Sequence, residues 1–170
     1  MRVQSFPPLV DRRATTLILG SMPGVASLRA QQYYAHPHNQ FWKIMGTLCG
    51  AGMTLPYSQR LEALQHAGLA LWDVLHSCVR PGSLDTAIEL EGAVANDLPG
   101  LLAAHPRIVR VCCNGGLAYA TLRQRFGAQL AQRFAYLTLQ RLPSTSPANA
   151  SWSYARKLAA WRAALALSRA

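Results

Sequence analysis

The chain has few acidic residues and almost no lysine. Seven Asp and Glu residues stand against 17 Lys and Arg, so the formal net charge is +10 at pH 7, and Lys43 and Lys157 are the only lysines. An excess of this size favours a polyanionic partner such as nucleic acid. Solvated, arginine-rich surfaces without a specific partner are the alternative that the composition leaves open.

Cysteine is also scarce, and its spacing does not suit a metal. The four cysteines, Cys49, Cys78, Cys112 and Cys113, include no C-x-x-C pair. Cys112 and Cys113 would face opposite sides of a strand, so they cannot easily share one ion. We therefore expect reduced, mostly buried thiols, with neither a bound metal nor another cofactor.

Long apolar segments are missing as well. No run approaches the roughly 20 residues that span a membrane, and the N-terminal stretch MRVQSFPPLVDRRATT lacks the apolar centre of a signal peptide. We expect no membrane contact and a location in the bacterial cytoplasm, with the nucleoid. Linkers, repeats and low-complexity segments are absent too, so we expect one domain over residues 1–170 and a monomer.

Four short apolar runs give the first indication of the fold. They are TTLILG at 15–20, LALWDVL at 69–75, RIVRVCC at 107–113 and AYLTLQRL at 135–142. The first three are nearly continuous in apolar residues, as strands buried on both faces of a parallel sheet are. Stretches with apolar residues at helical spacing separate the runs. This alternation predicts a three-layer α/β/α sandwich with a central four-stranded parallel sheet.

Each apolar run is followed by a loop rich in Gly, Pro, Ser or Asn. GSMPG follows the first run, HSCVRPGSLD the second, NGG the third and PSTSPANAS the fourth. The carboxyl ends of parallel strands meet at one edge of a sheet, where ligands bind in open α/β folds. Small residues there let backbone N–H groups approach a ligand closely. Ordinary turn chemistry would explain any one loop, but the four together predict a shared cleft.

A further segment, YYAHPHNQFW at 33–42, combines four aromatic rings with two His, an Asn and a Pro. A core would not favour the His and Asn, and a solvated loop would not favour the rings. A pocket for a flat, polar ligand would accommodate both.

Four segments carry a family resemblance when they are taken in chain order. They are LILGSMPG at 17–24, YYAHPHNQFW at 33–42, LWDVLHSCVRPGSLD at 71–85 and LPSTSPAN at 142–149. Their order and spacing resemble the uracil-DNA glycosylase superfamily, and most of all its hypoxanthine (deoxyinosine) DNA glycosylase branch. The resemblance implies an enzyme that flips a deaminated base out of DNA, hypoxanthine first and uracil second, and hydrolyses its N-glycosidic bond. No lysine lies in the four loops, so a Schiff-base lyase step is not expected.

The first and last motifs depart from the pattern of many superfamily members. Residues 20–24 hold no acidic residue or Asn that would place a hydrolytic water, and Leu142 stands where many members have His. Both departures are typical of the hypoxanthine branch, in which the Asn of the HPxNxFW stretch, here Asn39, is the implied catalytic residue. Its carbonyl could orient the water, or its amide could bond the base. The structural alternative is that Asn39 caps a helix that begins near Gln40.

The resemblance also implies side chains that surround the base. Phe41 is expected to stack on the base, with packing against Met45 and Leu48 in the core as the competing interpretation. Asp73, near the end of the second run, is expected to accept a hydrogen bond from the base edge, and a bond to loop amides is the alternative. The base-binding set is Ser21, Met22, Tyr34, Phe41, Asp73 and Ser77.

The last loop and several basic residues are expected to contact the DNA strand. The hydroxyls and amides of residues 144–146 suit phosphates, and residues 147–149 would form a wedge that fills the vacated space. His36 is expected to be structural. The DNA-binding set is His38, Arg80, Ser144, Thr145, Ser146, Pro147, Ala148, Asn149 and Arg156.

Two classes of function stay open at this point. The first is a monofunctional glycosylase that acts on DNA containing deaminated bases. The second is a damaged-DNA-binding protein on the same fold that does not cut, which the bare first motif allows. A nucleotide-binding enzyme is more distant, because GSMPG lacks the Gly-Lys-Ser/Thr of a P-loop.

Overall fold

Residues 1–167 are the part of the chain that the computed structural model describes, and they form two sheets with helices around them. The strands are β1 (Arg2–Gln4), β2 (Thr16–Gly20), β3 (Leu69–Asp73), β4 (Leu75–Val79), β5 (Glu89–Ala95), β6 (Arg110–Asn114) and β7 (Thr138–Leu142). The helices are α1 (Val25–Ala30), α2 (Phe41–Cys49), α3 (Tyr57–His66), α4 (Leu98–Ala104), α5 (Gly116–Arg133) and α6 (Tyr154–Leu165), with a 3₁₀ turn at Asp85–Ala87.

Four strands form a parallel sheet in the order β3-β2-β6-β7. Because successive side chains of a strand alternate between faces, each strand supplies both flanking cores. Leu17 and Leu19 pack toward α4 and α5, whereas Ile18 packs toward α2, α3 and α6. Cys112 and Cys113 lie in opposite cores, as predicted. The three-layer α/β/α sandwich around a four-stranded parallel sheet is therefore confirmed.

A second sheet, which the sequence did not predict, is antiparallel with the order β1-β4-β5. Only Val74 separates β3 from β4, so the chain passes directly from the parallel sheet into the antiparallel one. The segment 76–85 was predicted to be a loop, but Leu75–Val79 is a strand and the loop begins at Arg80. The strand was missed because its partners are remote in sequence: β1 lies at the N-terminus, and β5 is largely exposed.

Arg80 fastens this second sheet to the turn that follows β2. The residue is 2% exposed, and its guanidinium donates hydrogen bonds to the backbone carbonyls of Gly82, Met22 and Pro23. Met22 and Pro23 are buried, so their carbonyls would lose a partner away from water if Arg80 were removed, which is costly for polar groups. Arg80 is therefore committed to the fold, and the predicted phosphate contact is wrong for this side chain.

None of the helices within residues 1–167 is both long and apolar enough to cross a bilayer.

We predict that Arg80→Ala lowers the melting temperature of the protein. Hydrogen bonds to a charged group contribute about 1.5–3 kcal/mol each, and a domain of this size loses roughly 2–4 °C per kcal/mol. Thermal unfolding followed by circular dichroism measures the change, and the exposed Arg12 supplies a matched control in Arg12→Ala. An Arg80→Ala protein that melts with the Arg12→Ala control would refute the structural role.

Candidate active site

A cavity of about 1020 Å³ lies at the carboxyl-terminal edge of the parallel sheet. The last residue of each parallel strand lines it: Gly20, Asp73, Asn114 and Leu142. The turns after β2 and β7 contribute residues 21–24 and 143–149 to its wall, Gly116 contributes from the start of α5 after β6, and the turn after β4 contributes residues 83–85. The convergence of the four loops on one cleft, predicted from their composition, is confirmed.

Thr145 joins three of the segments around this cavity. Its backbone N–H donates to Asn114 Oδ1 at 3.0 Å, and its Oγ1 accepts from Asn114 Nδ2 at 2.9 Å. Its carbonyl accepts a hydrogen bond from the Gln40 N–H at 3.0 Å. Thr145 is fully buried, so these bonds lie away from competing water and fix the last loop against both β6 and the segment before α2. The Thr145 hydroxyl accepts this bond from Asn114 and keeps its own O–H donor, so the phosphate contact of Thr145 stays a prediction.

Asn39 is half-buried, lines the cavity and bonds to the start of α2. Its Oδ1 accepts a hydrogen bond from the Phe41 N–H at 2.9 Å. This bond forms an Asx turn just before α2 and holds the carboxamide in one orientation, whereas the N-cap of the helix is Gln40. A carbonyl oxygen has two lone pairs, so Oδ1 can still accept a second hydrogen bond. The turn bond is therefore compatible with the predicted catalytic role.

Tyr34, and not Phe41, presents an aromatic ring to the cavity. Phe41 is fully buried and packs edge-on against Trp42 and Trp161, because the first residue of α2 faces the core. Tyr34 lines the cavity and stacks on Phe41 with 4.1 Å between ring centroids. Phe41 was expected to stack on a ligand, but in the structure its ring packs against the ring of Tyr34, and Tyr34 lines the cavity. Tyr34 has φ +55°, an uncommon backbone conformation for a bulky residue that is found most often at functional sites.

Asp73 places an unpartnered carboxyl group in the cavity wall. The residue is 4% exposed, and Oδ2 has no hydrogen-bond partner among the described residues. Oδ1 would lie 2.6 Å from a Cβ at Gly20, so a side chain at position 20 would collide with the carboxyl group. Burial is the main cause and the nearby Asp85 a smaller one that together raise the pKa of Asp73 to about 7, against the opposing effect of Arg80. The alternative of a bond from loop amides is not found for Oδ2.

Ser21 and Met22 line the cavity as predicted. Ser21 Oγ donates to Asp85 Oδ1 at 2.7 Å, which joins the turn after β2 to the turn after β4. Ser77 does not belong to the site. It lies on β4 outside the cavity lining, and its Oγ accepts a hydrogen bond from Arg2 at 3.0 Å. The prediction failed because the strand at 75–79 was taken for part of the site loop.

The last loop is braced by its own side chains. Ser144 Oγ accepts from the Ser146 N–H and Ser146 Oγ accepts from the Ala148 N–H, both at 3.2 Å. Asn149 Nδ2 donates to the Ser144 carbonyl at 3.1 Å. Pro147 and Ala148 are exposed at the cavity, where a wedge would have to be. All six predicted residues of the loop line the cavity: Ser144, Thr145, Ser146, Pro147, Ala148 and Asn149.

Two further predicted DNA contacts lie beside the cavity but do not line it. His38 is exposed, and its backbone N–H donates to His36 Nδ1 at 3.1 Å. The histidine that lines the cavity is His36, because the turn at 36–39 directs the two side chains differently. Arg156 is exposed, and its guanidinium lies 4.1 Å from the ring centroid of Trp152, which does line the cavity.

Sequence reasoning did not single out several residues of the wall: Asn114, Arg141, Asp85 and Trp152. Asn114 was noted as part of an NGG loop but ends a strand. Arg141 was hidden inside an apolar run, although it is an exposed cation at the cavity. Among residues 1–167, no group of three His, Cys, Asp or Glu side chains is placed to hold a metal ion.

Comparisons with known sequences agree with this geometry. The family model of the Uracil DNA glycosylase superfamily matches residues 7–166. A protein named hypoxanthine DNA glycosylase from Methanosarcina acetivorans is 35% identical over 157 residues, 91% of this chain and 92% of that protein. A protein of the same name from Methanosarcina barkeri is 45% identical over 92 residues, 54% of this chain and 58% of that protein. The latter match thus spans little more than half of the M. barkeri protein.

A solved structure shares the fold. The solution NMR structure of a Methanosarcina acetivorans protein, studied as a candidate uracil DNA glycosylase, matches with a TM-score of 0.80 at 34% identity. The match covers 97% of this chain and 97% of that chain. Both the family model and the relative from M. acetivorans extend over nearly all of the sequence. The chain therefore belongs to the uracil-DNA glycosylase superfamily.

Proposed function

We propose that this protein is a monofunctional DNA glycosylase that excises deaminated bases, hypoxanthine first and uracil second. The observation that carries the proposal is the placement of Asn39, Tyr34 and Asp73 around one cavity at the sheet edge. The names of the two Methanosarcina relatives support hypoxanthine as the base. The net charge of +10 suits a DNA partner, and a location with the nucleoid follows from that substrate.

A base can enter the cavity only after its nucleotide is flipped out of the duplex, because a base that stays in the stack is out of reach of the active site. Pro147 and Ala148 are the exposed apolar residues of the last loop and enter the vacated space. The ring of Tyr34 then provides the surface on which the extruded base stacks. Base–aromatic stacking contributes about 1–3 kcal/mol and depends little on base identity.

Asp73 recognises the edge of the base as a neutral acid. An ionised carboxylate would accept the N1–H of hypoxanthine but would repel the negative charge that develops on the departing base. A neutral carboxyl group accepts from N1–H through its carbonyl oxygen or donates to O6 through its hydroxyl. With a pKa raised to about 7, about half of Asp73 is protonated at pH 7. Its lack of partners in the free protein leaves it available for the base.

Asn39 orients the water that attacks C1′. Oδ1 is held by the Phe41 N–H, and its remaining lone pair accepts a hydrogen bond from the water. The bond between C1′ and N9 breaks, its electron pair leaves with the base, and the water oxygen bonds to C1′ while its proton goes to solvent. Asn is not a strong base, so the acceleration comes from positioning and electrostatic stabilisation.

Excision of hypoxanthine from an inosine-containing oligonucleotide tests this function. Single-turnover assays, with abasic product revealed by alkaline cleavage and gel electrophoresis, are expected to show product that Asn39→Ala reduces by about 10²–10³-fold. Asn39→Asp keeps an oxygen for the Phe41 N–H and for the water, so it should retain more activity than Asn39→Ala. The exposed Gln59 supplies a neutral control, Gln59→Ala.

Full activity of Asn39→Ala would contradict the catalytic assignment. Tight binding without product from inosine, uracil, xanthine or mismatched thymine would instead support the alternative, a damaged-DNA-binding protein that does not cut.

The protonation of Asp73 gives a second prediction. A pKa raised to about 7 means that the neutral form is present below pH 7 and is lost as the pH rises through 7. We therefore expect the single-turnover rate on inosine to fall above about pH 7, as the neutral form is lost. Asp73→Asn mimics the neutral acid with a carbonyl and an N–H donor, so it should retain activity and remove the alkaline decline.

Thermal unfolding gives the matching control for Asp73. A buried carboxylate without a partner destabilises the fold, so Asp73→Asn should raise the melting temperature more at pH 8 than at pH 5. Loss of excision in Asp73→Asn at every pH, at undiminished stability, would show that the ionised carboxylate is the working form.

A further inference from the structure

Leu84 is an exposed apolar side chain at the mouth of the cavity. It is 57% exposed and belongs to the residues that line the cavity. Among the large apolar side chains that are exposed within residues 1–167, only Leu84 has this position. The others are Met1, Met53, Leu90, Val94, Val109 and Tyr136.

The loop that carries Leu84 is held in place on both sides of it. Ser83 Oγ accepts a hydrogen bond from the Val25 N–H at 2.9 Å, and Asp85 Oδ1 accepts from Ser21 Oγ at 2.7 Å. The carbonyl of Leu84 itself accepts from the Ala87 N–H at 3.0 Å. The backbone that carries Leu84 is therefore ordered before anything enters the cavity, so insertion of the side chain does not carry the added entropic cost of ordering the loop.

The position of this loop differs from that of the last loop. The Leu84 loop packs on the turn after β2, whereas Pro147 and Ala148 follow β7, an edge strand of the parallel sheet. Pro and Ala have small side chains, and a purine leaves a large gap in the stack when it is extruded. A single leucine of greater volume at the other side of the same cavity would fill more of that gap.

We propose that Leu84 is a second wedge, which enters the base stack of duplex DNA beside the extruded nucleotide. The inference rests on the proposed glycosylase function but concerns a residue and a loop that this function does not require. Leucine is one of the apolar residues that unstack a base step when they are inserted into DNA. The leucine fills the part of the vacated space that Pro147 and Ala148 leave open and so holds the extrahelical state.

This role predicts that Leu84 contributes differently to activity on duplex and on single-stranded substrates. In duplex DNA the flipped base leaves a gap between paired neighbours, and a wedge stabilises the open state. In a single strand there is no opposing strand and little stacking to replace. Leu84 should consequently matter for the duplex and contribute little on the single strand.

Leu84→Ala tests the inference in single-turnover assays on inosine in duplex and in single-stranded oligonucleotides. We expect the duplex rate to fall by about tenfold or more and the single-strand rate to change by less than about threefold, since a wedge acts against stacking. Leu84→Met, of similar volume, should keep the duplex rate. The matched control is Leu90→Ala, because Leu90 is a 38% exposed leucine that does not line the cavity.

Fluorescence of 2-aminopurine placed next to the inosine supplies a readout that needs no bond cleavage. The wild-type protein should raise the fluorescence of the duplex as the neighbouring step unstacks, Leu84→Ala should raise it less, and Leu90→Ala should match the wild type. Equal rates of Leu84→Ala and wild type on the duplex, or an equal fall on both substrates, would overturn the wedge. An absence of product from the wild type with an intact fluorescence difference would overturn the glycosylase function and leave the wedge supported.

Discussion

The site depends on the pair formed by Asn114 and Thr145. The two residues exchange two hydrogen bonds in a buried place, and the Thr145 carbonyl receives the Gln40 N–H. These bonds connect the end of β6, the last loop and the segment that carries Asn39. Because the pair is shielded from water, loss of either partner would leave buried polar groups unpaired. The distance between Asn39 and the last loop is thus fixed by the fold before any ligand arrives.

The cavity beside this pair contains two energetically unfavourable features that are rare in regions with only a structural role. Asp73 has an unpartnered, buried carboxyl oxygen, and Tyr34 adopts a backbone conformation that is uncommon for its type. A Cβ at position 20 would lie 2.6 Å from Asp73 Oδ1, so any residue other than glycine there would have to displace the carboxyl group. Such local costs persist where the surrounding structure enforces them and where function benefits. In the proposed function, the benefit is a neutral acid and a flat ring that are ready for one extruded base.

The sequence predicted the parallel sheet because its strands are nearly continuous apolar runs, and it predicted the cleft because small and polar residues follow each run. It did not predict the antiparallel sheet, whose strand at 75–79 contains His, Ser and Cys and pairs with the distant N-terminus. The errors at Ser77 and Arg80 follow from that omission. Phe41 and His38 lie outside the cavity lining for other reasons. Phe41 faces the core, which is the alternative that its helical spacing with Met45 and Leu48 indicated. For His36 and His38, spacing alone does not give side-chain directions in a tight turn. Tertiary packing decides those directions.

The central claim is that an extruded base lies between Tyr34 and Asp73 with Asn39 facing the glycosidic bond. A crystal structure of the protein bound to a duplex with 2′-fluorinated deoxyinosine, which resists hydrolysis, tests it most directly. The account predicts hypoxanthine stacked on Tyr34 with its edge at Asp73, and a water between Asn39 Oδ1 and C1′. A base that stays in the duplex, or one bound in the cavity with Asn39 remote from C1′, would contradict it.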